Sequence, residues 1–302
     1  MTEAEFIAAL RRMPLHPGAH GLMDDSAVID AGPLVVTTDT LVEGVHFLPD
    51  DPPGDVAWKL VATNLSDLAA KGALVEGVLL NYPLGDPAWD HAFLDGLSLV
   101  LTRFGAQLIG GDTVSLRGPR VLTLTAFGRD AAAPVRSGAR AGDALWVTGT
   151  IGDAGLGLAI AMGGTGPEAL RDAYRRPQPR LAEGRALGPV VHAMMDVSDG
   201  LLIDAARMAQ ASGVAVMIDL DAVPLSPAAR AHGGENRAAR LAAATAGDDY
   251  ELLFALPPDV TPPVAATRVG RFDAGAGLSL FDAAGPVPLP PRLGFEHTAS
   301  SR

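Results

Sequence analysis

The chain contains no cysteine, and only Lys59 and Lys71 are lysines among its 23 basic residues. Without thiols there are no disulfides, thiolate nucleophiles, Fe–S clusters or thiolate zinc sites. Neither lysine stands in a GK[ST] context, so a phosphate-cradling P-loop is absent. The glycine-rich stretch GDAGLGLAIAMGG (152–164) does not fit GxGxxG, which argues against a dinucleotide fold. Positive charge is scarce as well: the net charge of −12 argues against nucleic acid or an anionic membrane as the main partner. No apolar run approaches the ~18 residues that span a membrane. The opening MTEAEFIAALRRMP has no apolar core of the signal-peptide kind. These absences lead us to expect a cytoplasmic protein.

What is present is an ordered globular chain, with 48% hydrophobic and 19% charged residues in 302, enough for two domains. Residues 3–12 read as a helix, AVID (27–30) and PLVVTT (33–38) as strands, and 54–71 as a helix closing at Gly72. LVEGVLL, AQLIGGD and RVLTLTAFG read as further strands, with a helix at 87–105 between the first two. This order implies an α/β sandwich of about 130 residues, followed by a connector at 129–143. A second α/β half starts at ALWVTGT, with helices around 153–187, a strand ending at Asp196 and a helix at 201–212. Strands at GVAVMIDL, YELLFAL and TRVGRF follow. The expected architecture is two α/β domains packed face to face, 1–135 and 136–302.

Acidic residues sit where these elements stop: Asp24 and Asp25 in MDDS, Asp39 in TTDT, Asp67 in NLSD, Asp112 in GGDT, and Asp196 and Asp199 in DVSD. Any one of them has a structural reading, because Asp is common in turns and at helix N-caps. Together, with the hydroxyls of Thr37, Thr38 and Ser198, they make a set of hard oxygen ligands suited to Mg²⁺. Mg²⁺ keeps several waters and takes few protein carboxylates, a pattern that scattered aspartates match. Such ions would also let an acidic protein hold a polyphosphate. Arg136 in PVRSGAR has a fork of donors for a phosphate or is a solvated linker arginine. His46 lies seven residues beyond Asp39 in a loop where Glu43 reads as structural.

In this order, TTDTLVEGVHF, NLSDLAAKGA, LIGGDT, RSGARAGDALWVTGTIGD, DVSDGL and GDDYELLF resemble the thiamine-monophosphate kinase family. That family belongs to the superfamily of aminoimidazole ribonucleotide synthetase and selenophosphate synthetase. The likeness runs from about residue 20 to GFEH at 294–297. It implies a two-domain α/β fold whose N-terminal sheet domains pair in a homodimer, with ATP in a cleft lined by the aspartate loops. It also implies transfer of the γ-phosphate of ATP to thiamine monophosphate, the last step in making thiamine diphosphate. By the motif matches, Asp25, Thr37, Thr38, Asp39, Asp67, Asp112, Asp196 and Asp199 would hold Mg²⁺, and Asp39, Asp67 and Asp199 would be catalytic. Gly111, Asp112, Arg136 and Ser198 would meet ATP, and His46, Asp248 and Phe295 the thiamine substrate.

Two positions depart from the family pattern: Met23 stands for a glycine before the first acidic pair, and Asp248 for a glutamate. They favour, mildly, a catalytically silent Mg-nucleotide-binding regulator. Another ATP-dependent enzyme of the same superfamily is a further alternative. An acceptor that is itself a phosphate needs no strong general base, which agrees with a site rich in Asp and poor in His and Lys.

Overall fold

The computed structural model describes residues 2–22, 29 and 32–296. Met23, Asp24, Asp25 and all of AVID except Ile29 lie outside the described residues. The chain divides into two compact units, Met1–Leu68 with Ala73–Ala131, and Ala69–Gly72 with Ala132–Arg302.

The first unit opens on helix α1 (Glu3–Leu10), where Thr2 and Glu5 form a reciprocal capping box. Strand β1 (Val35–Val42) is followed by helix α2 (Pro53–Ala70), strand β2 (Leu74–Leu84) and helix α3 (Pro87–Phe104). Strands β3 (Leu108–Ser115) and β4 (Val121–Arg129) complete a four-stranded sheet in the order β1-β4-β2-β3. Asp86 starts α3 by accepting from the Ala88 and Trp89 amides, and Pro87 sits where no amide partner is needed. Because side chains alternate across a strand, Leu122, Leu124 and Ala126 of β4 are buried while Val121, Thr123 and Thr125 face outward. The register sets Thr37 against Ala126 and Asp39 against Leu124, so two polar residues of β1 occupy the core-side face. Thr38 and Thr40 are on the other face. Gly111 in β3 has a packing reason of its own: a Cβ there would come within 1.8 Å of the Leu80 carbonyl oxygen.

The second unit contains β5 (Ala144–Thr148), helices α4 (Asp153–Ala161), α5 (Glu168–Arg175) and α6 (Leu181–Leu187), and β6 (Ala193–Asp196). Then come α7 (Leu201–Ser212), β7 (Ala215–Asp219), α8 (Pro227–Gly233), α9 (Arg237–Thr245) and β8 (Leu252–Leu256). Strands β9 (Ala266–Asp273), β10 (Gly277–Asp282) and β11 (Gly285–Val287) finish a seven-stranded mixed sheet, β11-β10-β7-β9-β5-β8-β6. Strand β8 explains its own unbroken apolar run. Leu253 and Ala255 join one core, Leu252, Phe254 and Leu256 another, so both faces are buried. Strand β6 does the same, with Ala193 and Met195 on one side and Met194 on the other, and it delivers Asp196 at its end.

Four elements go beyond the sequence reading: α8, α9, β10 and β11. The two helices are alanine-rich and only seven and nine residues long. Their signals were the caps, Ser226 before Pro227 and Asn236, each accepting an amide three residues on. Among the described residues, no helix is long and apolar enough to cross a membrane.

Candidate active site

In the first unit Thr37, Asp39 and Asp67 come together. Thr37 and Asp39 project from the core-side face of β1 towards α2, which supplies Asn64 and Asp67 one turn apart. The Thr37 hydroxyl donates to Asp67 Oδ2. The Asp39 amide donates to Asn64 Oδ1 at 3.1 Å, and buried Asn64 is itself fixed by donating to the Leu60 carbonyl at 2.9 Å. Burial first, and the charge of Asp67 second, push the Asp39 carboxyl up to about 6. Two carboxylates at this spacing favour a cation between or beside them.

Thr38 does not join this group. Its hydroxyl is on the opposite face, donating to the Leu124 carbonyl at 3.1 Å and accepting from Thr125 at 3.1 Å. Asp112 is exposed on β3, at the far edge from β1. Three strand spacings separate the two edges, roughly 14 Å, so within this unit Asp112 cannot share one ion with Asp39. His46 lies in the β1–α2 loop, where its Nδ1 accepts from the Val42 amide at 2.9 Å. That bond places the proton of a neutral ring on Nε2. Buried Lys59 donates to the His46 carbonyl at 3.0 Å and fixes the loop from below. Glu43 accepts from the backbone and side chain of Arg120, both at 3.0 Å, in keeping with a structural role.

In the second unit Asp196, Ser198, Asp199, Asp248 and Phe295 converge. Beyond β6, residues 197–200 form a tight loop before α7. Gly200 has φ 128, and a Cβ there would lie 2.8 Å from the Ala246 carbonyl oxygen, so a side chain is excluded twice over. The 246–251 segment is laced to this loop: Asp248 N donates to Ser198 O, and Tyr250 N to Val197 O, both at 2.8 Å. Asp248 (φ 68) and Tyr250 (φ 52) are held in the left-handed region, a cost of about 1–3 kcal/mol each that the lacing must offset. The Tyr250 hydroxyl donates to Asp248 Oδ1 at 3.0 Å. From the C-terminal tail, Phe295 N donates to Asp199 O at 2.9 Å, leaving the ring 44% exposed beside the loop. Arg136 is exposed in the segment preceding β5, and its carbonyl accepts from Ser212 Oγ at 3.2 Å.

Four residues here were not singled out from the sequence. Asp204, fully buried in the first turn of α7, accepts on Oδ2 the amides of Ser198 (3.1 Å), Asp199 (3.1 Å) and Gly200 (3.3 Å). Burial pushes its carboxyl up to about 6, opposed by the Asp199 amide bond. Arg207 Nη1 bridges Asp199 Oδ2 at 2.5 Å and Asp204 Oδ1 at 2.9 Å. Asp249 accepts the Gly152 amide at 2.9 Å, its other oxygen has no hydrogen-bond partner, and burial holds it well above the usual carboxylate range. Glu251 is forked by Arg180 and accepts from Thr148 Oγ1 at 2.6 Å. The available signal was an acidic residue in a first helical turn just after a glycine loop. Beside Asp248 a cavity of about 130 Å³ is lined by Thr150, Asp153, Arg176, Arg180 and Asp249 among others.

The donors fit Mg²⁺ in kind, being carboxylates and hydroxyls with no thiolate. Among the described residues no three His, Asp or Glu side chains gather into a metal-holding group. The described part of each unit therefore offers carboxylates singly or in pairs, which suits an ion that completes its shell with water and phosphate oxygens.

The family described as AIR synthase related protein, N-terminal domain, matches residues 23–129, and its C-terminal domain matches 140–282. The chain is similar to the thiamine-monophosphate kinase of Caulobacter vibrioides, 40% identical over 321 residues, covering 98% of this chain and 91% of that protein. A crystal structure of thiamine-monophosphate kinase from Stenotrophomonas maltophilia K279a is 37% identical with a TM-score of 0.80, covering 92% of this chain and 94% of that one. A structure of AaThiL complexed with AMPPCP and TMP is 31% identical with a TM-score of 0.78, covering 90% of each chain.

Proposed function

Since the chain belongs to the AIR synthase-related family and, within it, to the thiamine-monophosphate kinases, we propose that it passes the γ-phosphoryl group of ATP directly to thiamine monophosphate. The products are thiamine diphosphate and ADP, the transfer is in line and Mg²⁺-assisted, and the setting is cytoplasmic. The observation that carries this reading is the Asp39–Asp67 pair with the Thr37 hydroxyl beside it, where burial first and the charge of Asp67 second lift Asp39 to about 6. Such a pair suits phosphoryl transfer, where positioning and charge neutralisation do most of the work.

Mg²⁺, when bound, neutralises charge on the transferring group. Asp39 and Asp67, with the Thr37 hydroxyl, are the first-unit residues that would hold one such ion, while Asp112, and with it Asp25, would serve a different one; Thr38, turned to the opposite face, leaves the ligand set, and Asp196 and Asp199 serve in the second unit. Gly111, Asp112, Arg136 and Ser198 face ATP in this reading. His46, through its Nε2–H, donates to the acceptor phosphate, because the Val42 amide occupies Nδ1. In the cavity beside Asp248 the Glu251 charge is met by Arg180, so Asp153 and Asp248 are the carboxylates that suit the cationic thiamine body, and Phe295, outside that lining, offers it a ring face. Asp248 keeps a carboxylate where the family has a longer one, and the Tyr250 hydroxyl fixes its direction.

The acceptor phosphate is largely ionised near neutral pH, so the chain supplies no general base and forms no phosphoenzyme. ADP release is measured with ATP, Mg²⁺ and either thiamine monophosphate, thiamine or no acceptor. Release only with the monophosphate supports the reading, and an acid-labile phosphoprotein during turnover defeats direct transfer. We also assign a homodimer, with the outward face of the first unit's sheet, where Val36 is 55% exposed, as the pairing surface. Light scattering at the mass of a single chain would overturn that assignment.

A further inference from the structure

Asp199 does not present both of its oxygens. Oδ2 is taken at 2.5 Å by Arg207 Nη1, which also donates at 2.9 Å to Asp204 Oδ1. This arginine cannot swing away without cost, because Asp204 is fully buried and Arg207 supplies its charged partner. Asp204 is fixed in turn by the three successive amides of residues 198–200 on its other oxygen. The amide from Asp199 itself is one of the three, and the Asp199 carbonyl accepts from Phe295 N. Backbone and side chain of Asp199 are thus both clamped, with Oδ1 as the one carboxylate oxygen outside the Arg207 bridge.

We propose that Arg207, anchored by Asp204, restricts Asp199 to single-oxygen ligation and so tunes the site for Mg²⁺ against Ca²⁺. Mg²⁺ demands six well-placed ligands at about 2.0–2.1 Å and takes carboxylates through one oxygen. Ca²⁺ takes 6–8 oxygens, roughly, at longer distance and readily accepts a carboxylate through both. A carboxylate with one oxygen already bonded to a fixed guanidinium serves the first ion and withholds a ligand from the second. Arg207 and Asp204 are positioning residues in this scheme, touching neither nucleotide nor acceptor. The inference rests on the reading of Asp199 as a metal ligand.

The test is displacement of bound Mn²⁺ by Mg²⁺ or by Ca²⁺, followed by electron paramagnetic resonance, in wild type and Arg207→Gln. With Oδ2 released, Ca²⁺ should gain on Mg²⁺ by about five-fold or more in relative affinity. Arg207→Gln leaves buried Asp204 without its counter-charge and can unfold the loop. Asp204→Asn/Arg207→Gln removes both charges, keeps an oxygen for the three amides, and should show the same gain with a wild-type circular dichroism spectrum. A Mg²⁺/Ca²⁺ ratio unchanged in the folded double variant overturns the role of Arg207. Asp199→Asn separates the two readings. If it binds Mn²⁺ as wild type does, ligation by Asp199 fails and the proposal with it; if it loses Mn²⁺ while the Arg207 variants keep the wild-type ratio, only the proposal fails.

Discussion

Replacing Asp39 by asparagine should stabilise the metal-free protein while removing its activity. In the folded state the Asp39 carboxyl is pushed up to about 6 from its ordinary 3.8, by burial and by Asp67. A shift of this size corresponds to about 3 kcal/mol against the ionised form, and solvent screening at a half-buried site brings the expected effect to about 1–2 kcal/mol. The sign follows from proton binding: between pH 4 and 6 the folded state takes up a proton that the unfolded state does not, so wild-type stability rises as the pH falls through the folded value. Asparagine keeps the shape and the amide bond to Asn64 but has no charge to desolvate. The variant should therefore melt a few degrees above wild type at pH 7.5 in EDTA. The gap should shrink below pH 6 and close near pH 4. Adding Mg²⁺ should favour wild type and reverse the order. Equal or lower stability of Asp39→Asn at pH 7.5 in chelator would refute the claim that Asp39 and Asp67 form a repulsive pair.

Asp67→Asn should lower turnover on the order of 100-fold or more with the circular dichroism spectrum intact; near-normal turnover at saturating Mg²⁺ would make Asp67 a mere helix-surface residue. In steady-state kinetics, kcat/KM should fall as the pH drops below about 6, where Asp39 protonates, and raising Mg²⁺ should move that limb to lower pH. An acid limb indifferent to Mg²⁺ would remove Asp39 from the ligand set. Gly111→Ala should cost about 1–3 kcal/mol or more, read in urea unfolding, because its Cβ would meet the Leu80 carbonyl oxygen at 1.8 Å. An unchanged midpoint would mean that the β2–β3 pairing is looser than described.

The sequence disclosed the site's inventory better than its grouping. Period-2 alternation in β4 and the doubly buried runs of β6 and β8 were readable because burial on one or two faces dictates residue type directly. Asp67 and Asn64 could be placed on one helix face from spacing alone. What spacing could not supply was the partner of each loop. That Thr38 turns to the outer face follows from the β1 register with β4, and that Asp112 is at the far edge follows from the strand order. Both are long-range pairings with no local signature. Asp204 reads as an ordinary first-turn acid until the loop folds back and brings three amides to one oxygen. Helices α8 and α9 escape the sequence reading because they are short, seven and nine residues, and alanine-rich, which gives a periodic pattern little length to show itself.

The hydrogen bond from Phe295 to the Asp199 carbonyl also sets a timetable. A ribosome delivers Asp199 about a hundred residues before Phe295, an interval on the order of 5–20 s at ordinary elongation rates. For roughly the first half of that interval strand β6 has no β8 to lie against and its loop lacks the 246–251 lacing, and until its end the loop lacks the Phe295 bond that caps it. The nascent second unit is therefore a protein with an unfinished edge. The stretch around Phe295 works as a clasp, and the aspartate loop closes only once that stretch has left the exit tunnel.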